Sequence, residues 1–219
     1  IFVEAFDNVL NFSGEKNTKA YIVDSIVPDI SITKNVSTSY HDSSSNSLYV
    51  ADNSITVVMT DTVSGIKEFG YSQSSEKNSF NRKNILLENK IYKVGDNLGD
   101  GWTVSEIDAN LVTKITRTFL FSSDDNDIIL TFDATDNALN KKESVQSEKF
   151  SIDKTSPIIN VSFRADDDND VYYNQNRVAD ITVIDRNFDA NLIKAAIENK
   201  FGAIPSISFS EKSKTEHTA

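Results

Sequence analysis

Apolar and polar residues alternate over short stretches of this 219-residue chain, and clusters of turn-forming residues separate the stretches. In one such stretch every second residue is apolar: Ile128, Leu130, Phe132 and Ala134. An alternation of period two is typical of a strand that buries one face. The pattern therefore predicts an all-β chain made of short strands, with the rhythm of an antiparallel β-sandwich of about seven strands per domain.

The predicted strands are Ile30–Thr33, Ser54–Met59, Ile66–Ser72, Lys90–Val94, Trp102–Ile107, Leu111–Phe121, Ile128–Thr135, Lys149–Asp153 and Ile158–Phe163. Asn, Asp, Ser and Gly gather between them and predict turns at 41–47, 61–65, 95–101, 122–127 and 136–140. The segment 190–200 has apolar residues at helical spacing and Asp189 as an N-cap candidate, so a short helix and an irregular connection are both open there.

The chain also repeats itself, because residues 1–32 return without a gap at 130–161. Asp7-Asn8-Val9-Leu10-Asn11 corresponds to Asp136-Asn137-Ala138-Leu139-Asn140, and Pro28 to Pro157, at a constant offset of 129 positions. A repeat of this length exceeds that of a solenoid unit or a propeller blade, so each copy is predicted to be a whole domain. The apolar faces keep their phase in both copies, which predicts one strand register.

The repeat divides the chain into three predicted parts. Residues 1–27 would supply the last strands of a preceding domain, 28–155 one complete domain with a hairpin insertion near 78–107, and 156–219 the first strands of a following domain. The predicted core of the complete domain consists of Ile55, Val57, Phe69, Tyr71, Phe119, Leu130, Phe132, Phe150 and Ile152.

Composition narrows the class of partner. The net charge is −11, which argues against nucleic acid and against an anionic membrane, since both attract clustered Lys and Arg. The chain has no cysteine and therefore no disulfide framework. No apolar run approaches the ~18 residues of a membrane helix, and no signal peptide opens the chain, so no membrane insertion is predicted and any export signal would lie upstream.

Several motifs together resemble those of one family. Phe150-Ser-Ile152-Asp153-Lys-Thr155-Ser-Pro157 has the form F-x-[IV]-D-x-T-x-P, the segment 134–140 is similar to A-x-D-x-A-G-N, and 61–66 to D-x-x-S-G-I. These resemble the hinge, strand end and turn of tandem bacterial immunoglobulin-like repeats, and the segment 172–189 is similar to the start of repeats in large surface proteins of Gram-positive bacteria. The chain departs from the family pattern at Leu10 and Leu139, where the family usually has Gly.

The resemblance implies tandem immunoglobulin-like sandwiches in an extracellular protein that is attached to the cell wall or cell surface through regions outside this chain. The partners would be neighbouring repeats of the same polypeptide and a host or glycan ligand, and the segment would be a non-catalytic spacer or adhesin stalk. An accessory carbohydrate-binding module of a secreted glycan-degrading enzyme is the alternative. It would need a row of exposed aromatics, for which Phe80, Tyr92 and Trp102 are the candidates, and core packing explains Trp102 equally well.

Motifs for catalysis are missing from the sequence. Both histidines, His41 and His217, stand in polar segments far apart in the chain. There is no G-x-S-x-G elbow, no P-loop and no G-x-G-x-x-G, so no catalytic site and no cofactor other than calcium is predicted.

The sharpest ligand hypothesis is calcium. Asp166, Asp168 and Asp170 place carboxylates at alternate positions, as the first half of an EF-hand loop does. The motif is incomplete, because Val171 stands where the loop needs Gly and Arg177 where it needs Glu. A solvated turn is therefore the competing interpretation. Asp24 and Asp153, each shortly before a hinge proline, could either cap the junction or ligate an ion between domains.

Overall fold

A computed structural model describes residues 2–14, 16–17, 21–36, 39–42, 47–51, 53–164, 178–194, 207–213 and 215–219. The fold is all-β, as predicted, and the described part contains one short helix, α1 at 190–194. The strands are β1 (Phe2–Val3), β2 (Lys16–Asn17), β3 (Asp29–Val36), β4 (Ser39–Asp42), β5 (Ser47–Val50), β6 (Asn53–Thr60), β7 (Ile66–Ser74), β8 (Phe80–Leu86), β9 (Asn97–Gly99), β10 (Trp102–Asp108), β11 (Leu111–Phe121), β12 (Asp125–Asp136), β13 (Lys141–Gln146), β14 (Phe150–Ile152), β15 (Ile158–Phe163), β16 (Ala179–Ile184), β17 (Ser210–Ser213) and β18 (Glu216–Thr218).

Two large sheets contain most of these strands. Within the described residues, one sheet has five strands in the order β3-β6-β11-β10-β9. The other has seven, in the order β4-β5-β14-β12-β7-β8, with β13 paired to β12 off this path. The long central pairs β6–β11 and β7–β12 are antiparallel, whereas β14 pairs with β5 in parallel.

The inward faces of these two sheets form a common core. In β6 buried and half-buried residues alternate along the whole strand, and Ile55, Val57 and Met59 are fully buried. Trp102 of the first sheet packs edge-on against Phe69 of the second, with ring centroids 4.8 Å apart. Every residue of the predicted core is buried, which confirms the strand phase read from the alternation.

Several sequence predictions about elements are wrong. Residues 90–94 form no strand, because their backbone groups close local turns: the N–H of Lys90 donates to the Glu88 carbonyl and that of Asp96 to the Lys93 carbonyl. The predicted turn at 41–47 overlaps β4 and β5, and that at 122–127 overlaps the start of β12. The segment 78–107 contains β8 of one sheet and β9 and β10 of the other, and its interpretation as an insertion stays a prediction.

The flanking segments form smaller sheets. In the described residues β1 pairs with β2, and β15, β16, β18 and β17 follow one another in a four-stranded sheet. The bounds predicted for β15 are confirmed. Asp189 caps α1, since its Oδ1 accepts the N–H of Asn191 at 2.8 Å, while residues 195–200 of the predicted helix lie outside the described residues. No described helix is long and apolar enough to cross a membrane.

Candidate functional site

Three carboxylates from separate segments meet at one end of the two-sheet body. Asp24 belongs to the linker before β3, Asp61 follows β6, and Asp136 ends β12. One oxygen of each lies within 4.8 Å of those of the other two. Asp61 and Asp136 are buried, at 4% and 0% exposure, and Asp24 is half-buried. We call these three residues the junction carboxylates.

The turn after β6 fixes Asp61. Its Oδ1 accepts three backbone N–H groups, from Val63 at 3.2 Å, Ser64 at 2.9 Å and Gly65 at 2.8 Å. Gly65 has a φ of +75°, and a Cβ there would lie 2.9 Å from the Cβ of Leu111. Only glycine fits this position, so the D-x-x-S-G-I sequence sets the direction of the Asp61 carboxylate.

The turn after β12 fixes Asp136 in a similar way. Asn140 donates its N–H to Oδ1 and its side-chain amide to Oδ2, both at 2.8 Å. Leu139 closes the turn with a φ of +73°, a left-handed conformation that favours glycine. The Asn137 side chain donates to the Ser64 carbonyl at 2.8 Å, so the two turns are tied together.

Asp24 brings the linker to these turns. Its Oδ1 accepts the N–H of Ile26 at 2.9 Å, and its carbonyl accepts the Asn140 side chain at 3.2 Å. The nearby Ser64 hydroxyl and the Ile26 N–H lower the pKa of Asp24, which favours the charged form. Among the described residues, neither the buried Oδ2 of Asp24 nor the nearby Ser64 hydroxyl has a partner in hydrogen-bond geometry. A cation could therefore bind this carboxylate beside the hydroxyl.

The junction carboxylates have the chemistry of a divalent-cation site. Three like charges this close repel one another unless a cation or a proton compensates them. Calcium takes oxygen donors at about 2.3–2.6 Å, so two donors on opposite sides of it are about 5 Å apart. The three oxygens lie within 4.8 Å of one another and are therefore close enough to contact one such ion. These residues could hold Ca²⁺ together with carbonyl groups or water.

Sequence reasoning identified only part of this site. The sequence offers Asp24, like Asp153, either as a cap of the junction or as an ion ligand, and it shows Asp61 and Asp136 only as members of turn motifs. The usable signal was that both motifs place an aspartate directly after a long strand of the same sandwich. Asp166, Asp168 and Asp170 lie outside the described residues, so calcium binding there stays a prediction.

A second group of carboxylates lies after β14. Asp153 stands 129 positions after Asp24, and Asp185 follows β16 as Asp61 follows β6. Burial raises the pKa of Asp153, and the charges of Asp185 and Asp124 raise it further against the hydrogen bond from the Thr155 N–H. Asp153 is therefore crowded by other carboxylates.

The aromatic candidates do not form an exposed row. Trp102 is fully buried and cannot offer its ring to a ligand at the surface. Tyr92 is half-buried, and its hydroxyl accepts the N–H of Glu88 at 3.1 Å. Phe80 is half-buried and lies along a separate cleft.

Comparison of the chain with protein-family models, with curated proteins and with solved structures finds no match.

Proposed function

We propose that this chain is a segment of tandem immunoglobulin-like repeats in an extracellular bacterial surface protein, where it acts as a non-catalytic spacer or adhesin stalk. The observation that carries the proposal is the attachment of the linker to the sandwich. Asp24 contacts Asn140 through its carbonyl and approaches Asp61 and Asp136 through its carboxylate. A spacer needs such fixed junctions, because a free linker would let neighbouring domains swing independently.

The recurrence of the junction elements supports the same proposal. The turn at Asp7–Asn11 repeats the hydrogen bonds of the turn at Asp136–Asn140. Oδ1 of Asp153 accepts the N–H of Thr155 as Oδ1 of Asp24 accepts that of Ile26. Each repeat would therefore meet the next through the same set of side chains. The partners in this proposal are neighbouring repeats of the same polypeptide, anchored to the cell surface by regions outside this chain.

A divalent cation is the second part of the proposal. Ca²⁺ bound by Asp24, Asp61 and Asp136 would neutralise their repulsion and tie the linker to both turns. Its effect would be on rigidity and not on a chemical reaction. A ligand that binds the folded state only also raises stability by mass action.

The experiment is ¹⁵N relaxation of the linker 21–27 in calcium and in chelator. We expect order parameters in calcium close to those of the strands, about 0.85, and lower values in chelator. Asp24→Asn should give the chelator values in both conditions, whereas Asp7→Asn, the matched exposed carboxylate, should behave as wild type. A linker as mobile as a free peptide in every condition would refute the fixed junction and with it the spacer function.

A further inference from the structure

A cleft of about 500 Å³ opens beside the core, away from the junction carboxylates. Its walls come from Phe80 at the start of β8, from the last residues of β11, from the turn at 100–101 and from the loop 122–125. The cleft lies within the volume range of small-molecule sites, about 300–1,000 Å³. Aromatic rings and polar groups both line it.

Arg117 is the unusual member of this lining. It lies on the inward face of β11 between Ile115 and Phe119, both of which are buried. Its Cζ is 3.9 Å from the ring centroid of Phe119 and 5.1 Å from that of Tyr71. A cation on the core face is costly unless a partner compensates its charge.

No carboxylate forms an ion pair with Arg117 in the described part of the chain, and its buried Nη1 has no hydrogen-bond partner. The turn at Gly101, whose φ is +82°, lies next to the guanidinium, since a Cβ there would make ordinary contact with the Nε of Arg117 at 3.7 Å. The side chain is thus held between a ring and a turn, and its charge is met by the faces of aromatic rings rather than by an ion pair.

The carboxylates of the cleft are already engaged elsewhere. Asp100 accepts the Tyr71 hydroxyl at 2.5 Å and the ammonium of Lys83 at 3.1 Å, which lowers the pKa of Asp100. Burial and the hydrogen bond to Asp100 raise the pKa of Tyr71 to about 12, against the opposing effect of Arg117. Tyr71 therefore stays a donor at neutral pH.

Asp125, the other carboxylate of the cleft, also has hydrogen-bond partners within the chain. It is buried and accepts the N–H of Lys77 and the side-chain amide of Asn78, both at 2.9 Å. Both carboxylates have other hydrogen-bond partners, and Arg117 acts on Asp100 only through the weaker attraction that helps to lower the pKa of Asp100. A ligand carboxylate would give the guanidinium a direct partner through charge-assisted hydrogen bonds.

We propose that this cleft binds a carboxylate-bearing sugar, such as a uronic acid within a glycan. The guanidinium of Arg117 would receive the carboxylate, and the half-buried rings of Phe80 and Phe121 would contact the apolar face of the sugar. Gln73, Ser122 and Ser123 also line the cleft, and their amide and hydroxyl groups suit sugar hydroxyls. This binding site is independent of the junction carboxylates and of any cation there.

The test is an NMR titration of the full chain with methyl β-D-glucuronide, with methyl β-D-glucoside as the neutral counterpart. We expect the glucuronide to shift the Nε–H signal of Arg117 and the backbone signals of Phe80 and Phe121. Loss of the charged hydrogen bond should weaken glucoside binding by about tenfold or more. Equal shifts with both sugars, or shifts elsewhere on the chain, would overturn the proposal.

Two variants sharpen the test. Arg117→Gln should reduce glucuronide binding to the level of the glucoside, whereas Lys93→Gln, which removes the same charge at an exposed residue outside the cleft lining, should leave it unchanged. Equal losses in both variants would show a general charge effect and overturn the proposal. If Arg117→Gln does not fold, the difference in binding between the glucuronide and the glucoside, measured on the wild type, tests the proposal. A short peptide that shifts the cleft signals through its C-terminal carboxylate, when the glucuronide does not, would replace the sugar with a protein partner.

Discussion

The two copies of the repeated motif share a turn but differ in the burial of the strand residues that follow. In the first copy the N–H of Asn11 donates to Oδ1 of Asp7 at 2.9 Å, and in the second that of Asn140 donates to Oδ1 of Asp136 at 2.8 Å. Leu10 and Leu139 have φ values of 63° and 73°. Five residues are therefore enough to build this turn, because the hydrogen bonds that the two copies share are all local.

The burial of the strand residues after this turn differs between the two copies. Tyr21 and Val23 are 81% and 89% exposed, whereas their counterparts Phe150 and Ile152 are fully buried. Phe150 and Ile152 lie in β14, between β12 and β5, and face the common core. The described residues around Tyr21 include no such pair of neighbouring strands. Burial of an apolar side chain in this motif thus depends on partners distant in sequence.

The largest expected contrast is between the two aromatic counterparts. Phe150→Ala should lower the free energy of unfolding of the complete unit by about 3–5 kcal/mol, because it leaves a cavity in the core. Tyr21→Ala, at an exposed position, should change it by less than about 0.5 kcal/mol. Urea denaturation followed by Trp102 fluorescence measures both. Similar losses in the two variants would show that the first copy is buried in solution and would remove the contrast.

The next contrast concerns the turn aspartates. Asp136→Ala should cost about 1–3 kcal/mol, because it removes the acceptors of Asn140 inside a buried turn. Asp7→Ala removes the matching hydrogen bonds at an exposed site, so the unfolding of the complete unit should not change. The same denaturation assay in chelator separates this loss from any effect of a cation. If Asp136→Ala leaves the free energy of unfolding unchanged, the turn does not have the structural role given to it.

A smaller effect is expected at the two left-handed leucines. Leu139 is 66% exposed, so Leu139→Gly loses little packing and relieves a conformation that costs an ordinary residue about 1–2 kcal/mol. The greater freedom of glycine in the unfolded chain offsets part of this gain, leaving about 0.5–1 kcal/mol of stabilisation. Leu10→Gly should leave the global unfolding unchanged. A destabilising Leu139→Gly in urea titrations would argue against a positive φ at that residue.

The smallest effects concern pH. The pKa of Asp24 is lowered by Ser64 and Ile26, whereas that of its counterpart Asp153 is raised by burial and by Asp185. A lowered pKa gives stability that is present above the unfolded value, near 3.8, and lost as pH falls through the folded pKa. A raised pKa gives stability that is present below that value and lost as pH rises through the folded pKa.

Asp153→Asn should therefore raise the melting temperature slightly at pH 7 and have no such effect at pH 3. Carboxyl ¹³C titrations in chelator should give a lower pKa for Asp24 than for Asp153. The reverse order would show that the two junctions have different environments from those described.

Strands with one buried face were predictable from the sequence, and the less regular elements were not. The core of the complete unit follows from alternation alone, as Leu130 and Phe132 show. β8 was missed because an edge strand pairs through its backbone, and most of its side chains are exposed and polar. Residues 90–94 were predicted as a strand and do contain one residue, Tyr92, that packs against the core. Their backbone closes turns instead of pairing with another strand. The junction carboxylates could not be assembled from sequence, since their approach depends on how β6 and β12 are placed in space.

In the proposed function, Asp24 ties the linker to the sandwich through a shared cation. The most direct test is the melting temperature of the chain in millimolar calcium and in chelator, for the wild type and for Asp24→Asn. We predict that calcium raises the melting temperature of the wild type and that Asp24→Asn abolishes most of the increase. The matched Asp7→Asn should retain the full increase. A wild type whose melting temperature is the same in calcium and in chelator would contradict the cation-bound junction.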